Sequence, residues 1–195
     1  MILGIEGSPR KAGNSHKILD AVLSGAQTTK ETSETIHLRD YEYKPCIGCE
    51  KCRKDKICTR FNDGMSLLYP KILESKGIVL ISPVHNYNVT AWMKAFIDRL
   101  YCFYDFNDER PRGWSSRLAG QGRKAVIGAI AEQQEKHDMG FTLDAMRLPL
   151  EAHGFEVVAE VQVLNMFDRG IVAKHENVLE QARCAGVKLA TELTK

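Results

Sequence analysis

Residues 77–82 read Gly-Ile-Val-Leu-Ile-Ser, a β-branched run that is polar on neither face. A strand of that kind belongs in a sheet covered on both sides, as in parallel sheets held between two helix layers. Around it, short apolar runs alternate with stretches of helical spacing. Residues 1–7, 34–39, 77–82, 123–131 and 156–164 read as strands, and residues 14–27, 66–75, 90–100, 140–153 and 174–193 as helices. Ile18, Leu19, Val22 and Leu23 share one helical face, and Leu67, Leu68, Ile72 and Leu73 share another. Five such alternations predict an α/β fold with an open, doubly wound, five-stranded parallel sheet. With 195 residues, 44% of them hydrophobic, the chain suits a single domain over residues 1–195, with a cysteine-rich insertion at 44–60.

Composition excludes several classes. No apolar run approaches the roughly 20 residues that span a bilayer. The first residues, Met-Ile-Leu-Gly-Ile-Glu-Gly, lack the basic leader and long apolar core of a secretory signal. The expectation is a cytoplasmic protein with no membrane partner. Lys and Arg number 27 against 25 Asp and Glu, so net charge draws the chain to neither nucleic acid nor membrane.

In open α/β sheets ligands sit beyond the carboxyl ends of the strands, which directs attention to loops 7–15, 83–90 and 132–139. The first, Gly7-Ser8-Pro9-Arg10-Lys11-Ala12-Gly13-Asn14-Ser15, joins a strand to a helix. A phosphate dianion there would meet free backbone N–H groups, the positive helix end, the polar side chains of Ser8, Asn14 and Ser15, and the charge of Arg10. The loop has neither the lysine-Ser/Thr pair of a P-loop nor G-x-G-x-x-G, so a terminal monophosphate suits it better than ATP or the pyrophosphate of NAD. The bland alternative is a helix capped by Asn14 or Ser15. Residues 103–121, rich in charge, Gly, Pro and Trp, show no periodicity and read as a lid or an oligomer contact.

Four cysteines fall within thirteen residues: Cys46, Cys49, Cys52 and Cys58. Two-residue gaps let thiolates converge on one small object, and Gly48 lets the backbone fold around it. The spacing suits a [4Fe-4S] cluster. Zinc takes the same ligands but more often in two separated pairs, and a metal-free thiol or disulfide role is the third reading. Lys44, Lys51, Arg53, Lys54, Lys56 and Arg60 outnumber Glu50 and Asp55 around these cysteines, a charge that would favour a reduced cluster and an acidic carrier. Cys102 and Cys184 stand apart and read as small apolar residues.

Gly7-Ser8-Pro9-Arg10 with Gly13-Asn14-Ser15, Ser82-Pro83-Val84 followed by Met93-Lys94-Ala95-Phe96-Ile97-Asp98-Arg99, the cysteine run, and the Asp168-Arg169-Gly170 turn together resemble the iron–sulfur flavoproteins. These are a branch of the flavodoxin-like NAD(P)H-dependent FMN reductase superfamily, and the resemblance covers nearly the whole chain. It implies FMN as cofactor, with its phosphate on Ser8, Arg10, Asn14 and Ser15 and with Gly13 among the cofactor-binding residues. It also implies that Pro83, Val84, His85, Asn86, Tyr87, Asn88 and Thr90 line the isoalloxazine ring, and that Ala131, Glu132 and Gln133 cover its far side. The chain departs from the family at His85, where tyrosine is common, and at Asp63-Gly64-Met65, where Asp-Asp-Met is usual. Lys94, Asp98 and Arg99 read as salt-bridging residues rather than catalytic ones.

Three functional readings follow. The first is an oxidoreductase passing electrons between FMN and a [4Fe-4S] cluster, with ferredoxin or NAD(P)H as donor and a small molecule as acceptor. The second is an NAD(P)H-dependent FMN or quinone reductase without a cluster. The third is a non-redox flavodoxin-like binding module with structural zinc. No acid, base or nucleophile constellation is expected, because the cofactors carry the chemistry. The resemblance also implies a homodimer or homotetramer, and Tyr104, Phe106 and Trp114 among charges suit an interface.

Overall fold

The structure is a computed structural model in which residues 1–28 and 31–195 are described. Its core is a five-stranded parallel sheet in the order β2-β1-β3-β6-β7, built from β1 (Ile2–Glu6), β2 (Ser33–His37), β3 (Gly77–Pro83), β6 (Lys124–Ile130) and β7 (Glu156–Val163). In register, Ile2 lies opposite Ser33 on one side and Gly77 on the other. This is the flavodoxin-like order, whose switch point lies between β1 and β3.

Strand alternation sorts the apolar residues into two cores. Leu3, Ile5, Ile78, Leu80 and Ile127 face α3 (Met65–Glu74), α4 (Ala91–Arg99) and α5 (Thr142–Ala152). Ile2, Val79, Ile81 and Val126 face α1 (Asn14–Ala26) and α6 (Glu176–Leu193). Each fully buried aliphatic side chain contributes about 1.5–3 kcal/mol. On α1, Ile18, Leu19, Val22 and Leu23 are all buried, as their spacing predicts. On α3 the expectation needs correction. The buried stripe is Met65, Leu68, Tyr69 and Ile72, whereas Leu67 and Leu73 are exposed, because a second leucine beside each inward one falls a further 100° round the helix.

Helices α1 and α6 meet backbone to backbone. A Cβ on Gly25 would lie 2.0 Å from the Arg183 carbonyl oxygen, and one on Gly186 would lie 1.9 Å from that of Val22. Glycine at both positions is what permits this approach. Residues 103–121 are more ordered than their composition suggests. They form an antiparallel ribbon of β4 (Tyr104–Phe106) and β5 (Trp114–Ser116). Its inner side is held by His153, which stacks on Tyr104 (4.1 Å between ring centres) and shares a hydrogen bond with Ser116 (2.9 Å). Among the described residues, no helix is long and apolar enough to cross a membrane.

Candidate functional site

Because all five strands run parallel, the loops after β1, β2, β3, β6 and β7 share one edge of the sheet. The loop after β1 is pinned where it leaves the strand, by the Gly7 N–H to the Ile81 carbonyl (2.9 Å). Helix α1 then starts from Gly13 with no side-chain capping bond. Its leading N–H groups and the positive end of its dipole are thus free for an anion, and the helix-cap alternative does not hold. Ser8 and Ser15 are buried beside them, and the Ser8 hydroxyl accepts the Arg10 N–H (3.1 Å).

Two polar residues of this loop also bind the segment after β7. The Asn14 amide donates to the carbonyls of Met166 (3.4 Å) and Asp168 (3.0 Å) and accepts the Val172 N–H (3.1 Å). Its side chain is therefore a strut between loops. Arg10 is exposed, donates to the Phe167 carbonyl (3.0 Å) and lies over the Phe167 ring. Between these loops lies a cavity of about 170 Å³, lined by Ser8, Arg10, Gly13, Asn14, Ser15, Pro83, Val84, His85 and Glu132, and also by Ile130, Met166, Phe167 and Arg169. The site set drawn from the sequence omitted those last four. Only the Asp168-Arg169-Gly170 turn signalled them.

The loop after β3 is a tight hairpin. His85 and Asn88 exchange both backbone hydrogen bonds (2.8 and 3.1 Å), and Asn86 and Tyr87 between them take φ of 50° and 63°. Two consecutive left-handed residues are the requirement of a type I′ turn, which is costly for a bulky side chain such as tyrosine. The turn is held from outside by the Phe141 N–H, which donates to the Tyr87 carbonyl (2.8 Å). His85, Asn86 and Tyr87 are exposed. Thr90 is not: its hydroxyl caps α4 through the Met93 N–H (3.2 Å) and donates to the Gly7 carbonyl (2.6 Å), tying the first and second loops together. Beyond Val84 and Glu132, a shallower groove continues along Asn86, Tyr87, Ala131, Gln133 and Asp138. Ala131 itself is buried, and its backbone is taken up by Val163 and Met166.

The cysteine loop leaves the same edge after β2. It turns through left-handed residues at Gly48, Glu50 and Lys56 around the five-residue helix α2 (Lys51–Asp55). Cys46, Cys49, Cys52 and Cys58 are all free thiols lining one pocket with Phe61, Arg99 and Tyr101. Burial, then the neighbouring Cys58 and Cys46, push the Cys52 thiol above its ordinary value. Among the described residues, three metal-ligating atoms lie within 4.8 Å of one another only at Glu6, His16 and His37. Four thiolates around one pocket are a donor set that suits an iron–sulfur cluster and that zinc also accepts.

Side chains hold this loop. Arg99 is buried and makes a bidentate pair with Asp63 (2.8 and 3.1 Å), while also donating to the Lys44 carbonyl (2.7 Å) and the Tyr69 hydroxyl (3.1 Å). Burial pushes the Asp63 carboxyl up, but Arg99 and the N–H groups of Lys44 and Met65 outweigh it and hold the group below the usual range. Gly64 donates its N–H to the Glu42 carbonyl (2.8 Å), and a Cβ there would lie 2.9 Å from that oxygen, which accounts for glycine in place of the family's aspartate. On the other flank Arg53 donates to the Tyr101 hydroxyl (2.7 Å) and lies 4.5 Å from the Phe106 ring centre. Lys56 pairs with Asp105, and Arg117 donates to the carbonyls of Lys56 and Cys102. The β4–β5 ribbon is thus a brace for the cysteines. Cys102 is buried, as expected, but it does not stand apart. Burial and then Cys52 and Cys58 push its thiol up to about 12. Lys94 and Asp98 form the expected exposed helical pair.

The chain matches the family model for NADPH-dependent FMN reductase over residues 1–165. It is 41% identical over 135 residues to an iron–sulfur flavoprotein of Archaeoglobus fulgidus, covering 68% of this chain and 57% of that protein. It is 35% identical over 130 residues to an iron–sulfur flavoprotein of Methanocaldococcus jannaschii, covering 67% of this chain and 60% of that one. The chain thus spans little more than half the length of these relatives. Among solved structures, the NAD(P)H:quinone oxidoreductase of Methanothermobacter marburgensis superposes with a TM-score of 0.71 at 19% identity, covering 96% of this chain and 98% of that one, a likeness of fold.

Proposed function

Since the chain belongs to the NADPH-dependent FMN reductase family, alongside proteins called iron–sulfur flavoproteins, we propose that it passes electrons between FMN and a [4Fe-4S] cluster on Cys46, Cys49, Cys52 and Cys58. The observation that carries this reading is the common edge. The cysteine loop leaves the sheet beside the cavity, and its Tyr43 hydroxyl donates to the Trp92 carbonyl (2.7 Å) in the first turn of α4, the helix into which the 83–90 loop runs. Bound FMN accepts two electrons as hydride and releases them singly, and a [4Fe-4S] cluster carries one, so together they join two-electron to one-electron chemistry.

The chain's own residues bind, orient and enclose. The α1 N–H groups with the Ser8 and Ser15 hydroxyls hold the phosphate, and Arg10 and Arg169 offset its charge. Asn14 serves by fixing the Met166–Val172 backbone, and Thr90 by joining two loops. The 83–88 hairpin forms one wall of the ring site and Glu132 with Gln133 the other. Arg53, Lys56, Arg99 and Arg117 lower the energy of the thiolates and of added negative charge. NAD(P)H or ferredoxin is the donor and a small molecule the acceptor. A homodimer or homotetramer in the cytoplasm completes the proposal, with the exposed Trp114 as a contact. A monomeric mass by light scattering would exclude the oligomer.

Iron and flavin analysis of anaerobically grown and purified protein tests the main claim. The expected content is one FMN and about four iron per chain. FMN without iron would leave the cluster-free reductase as the reading, and zinc without flavin would leave the binding module.

A further inference from the structure

The geometry points to a second metal site, remote in chemistry from the cysteines and independent of the flavin reading: we propose that Glu6, His16 and His37 bind one borderline divalent cation of the zinc class. Glu6 is fully buried at the end of β1, His16 lies in the first turn of α1, and His37 ends β2. One donor atom from each falls within 4.8 Å of the other two. A tetrahedral zinc needs such donors about 3.3 Å apart, a closure within reach of side-chain rotation.

The donor atoms are also prepared. Glu6 Oε2 is taken by Arg39 (2.8 Å) and by His37 Nδ1 (2.5 Å), whereas Glu6 Oε1 is buried with no hydrogen-bond partner. His16 Nε2 faces Asp20 (3.2 Å), whereas His16 Nδ1 is buried and unpartnered. A ligating carboxylate usually has its second oxygen hydrogen-bonded, and a ligating histidine usually gives its other nitrogen to a carboxylate. Both conditions are met here. An orphaned buried polar atom is costly, and one ion would satisfy both of these.

Ring geometry agrees. The two imidazole centres are 5.0 Å apart with their planes at 58°. Imidazoles bound tetrahedrally through nitrogens about 2.0–2.1 Å from one zinc have centres about 5 Å apart. Two imidazoles and a carboxylate leave a fourth position for water. Arg39 opposes a cation, but it is already paired with Oε2, which leaves Oε1 as the carboxylate oxygen free to ligate. The same guanidinium donates to the Ser8 carbonyl (3.3 Å), so the site abuts the first loop.

The test is zinc content after dialysis against excess zinc, compared between the wild type and His16→Gln and His37→Gln. The cysteines are common to all three, so their zinc cancels in the difference. The expected result is one zinc ion fewer per chain in each variant. Equal zinc would overturn the site and leave Glu6, His37 and Arg39 as an ion-paired cluster. X-ray absorption on the zinc-saturated wild type needs no variant. A nitrogen and oxygen shell at about 2.0 Å supports the site, and sulfur alone at about 2.3 Å overturns it.

Discussion

The cavity at the β1–β3 switch point and the cysteine pocket share one sheet edge but are built by different means. At the cavity, backbone groups do most of the work: a Gly7 N–H in the strand ladder, an uncapped α1, and a hairpin closed by its own amides. At the cysteines, residues 42–50 have no regular structure, and the loop is held by guanidinium groups of Arg53, Arg99 and Arg117. A site made of strand ends is as stable as the sheet, whereas one made of side-chain clamps can be lost separately.

Cys49→Ala should break the symmetry between the two sites most completely. Iron should fall to background while FMN remains bound, as read by metal analysis and the flavin spectrum; flavin loss in parallel would mean that the sites are not separable. Arg99→Met removes one partner of a buried pair and leaves Asp63 unpaired, a loss of about 3–5 kcal/mol. Urea unfolding should show that loss, and proteolysis should cut first within 44–60. Cleavage spread evenly over the chain would contradict the clamp.

Acid should weaken the brace next. Burial lowers His153 from 6.5 to about 4, so the folded chain holds it neutral. The unfolded chain binds the extra proton between these values, so this contribution is complete above pH 6.5 and declines as pH falls toward 4. The total is about 3 kcal/mol, and His153→Gln should flatten that part of the stability profile. An unchanged profile would remove His153 from the account. Arg10→Glu should have the smallest effect, raising the Kd for FMN about tenfold because the side chain is exposed, with iron unaffected. Lys188→Glu, toward the far end of α6, serves as control, and equal Kd values in both would take the phosphate away from Arg10.

Much of this was legible from residue order. The 77–82 run is a local pattern that became the strand it implies, and the glycine-bearing loop after the first strand joins it to α1 as its pattern implies. Leu67 and Leu73 misled because each sits next to an inward residue, Leu68 and Ile72, which are four apart, so two neighbouring faces were open and only packing selects one. The ribbon at 104–116 escaped notice because three-residue strands carry too few alternations to register.

What the chain determined alone is therefore the sheet and the edge at which its loops gather, since hydrophobic period and backbone chemistry act over a few residues. Tertiary structure decided which polar groups remain free. It bound the Asn14 amide to the loop after β7, buried Arg99 against Asp63, and brought Glu6, His16 and His37 together across 31 positions of sequence. The physical reason is that a side chain's role is set by whichever partners satisfy its hydrogen bonds and charge, and those partners arrive only when distant segments pack.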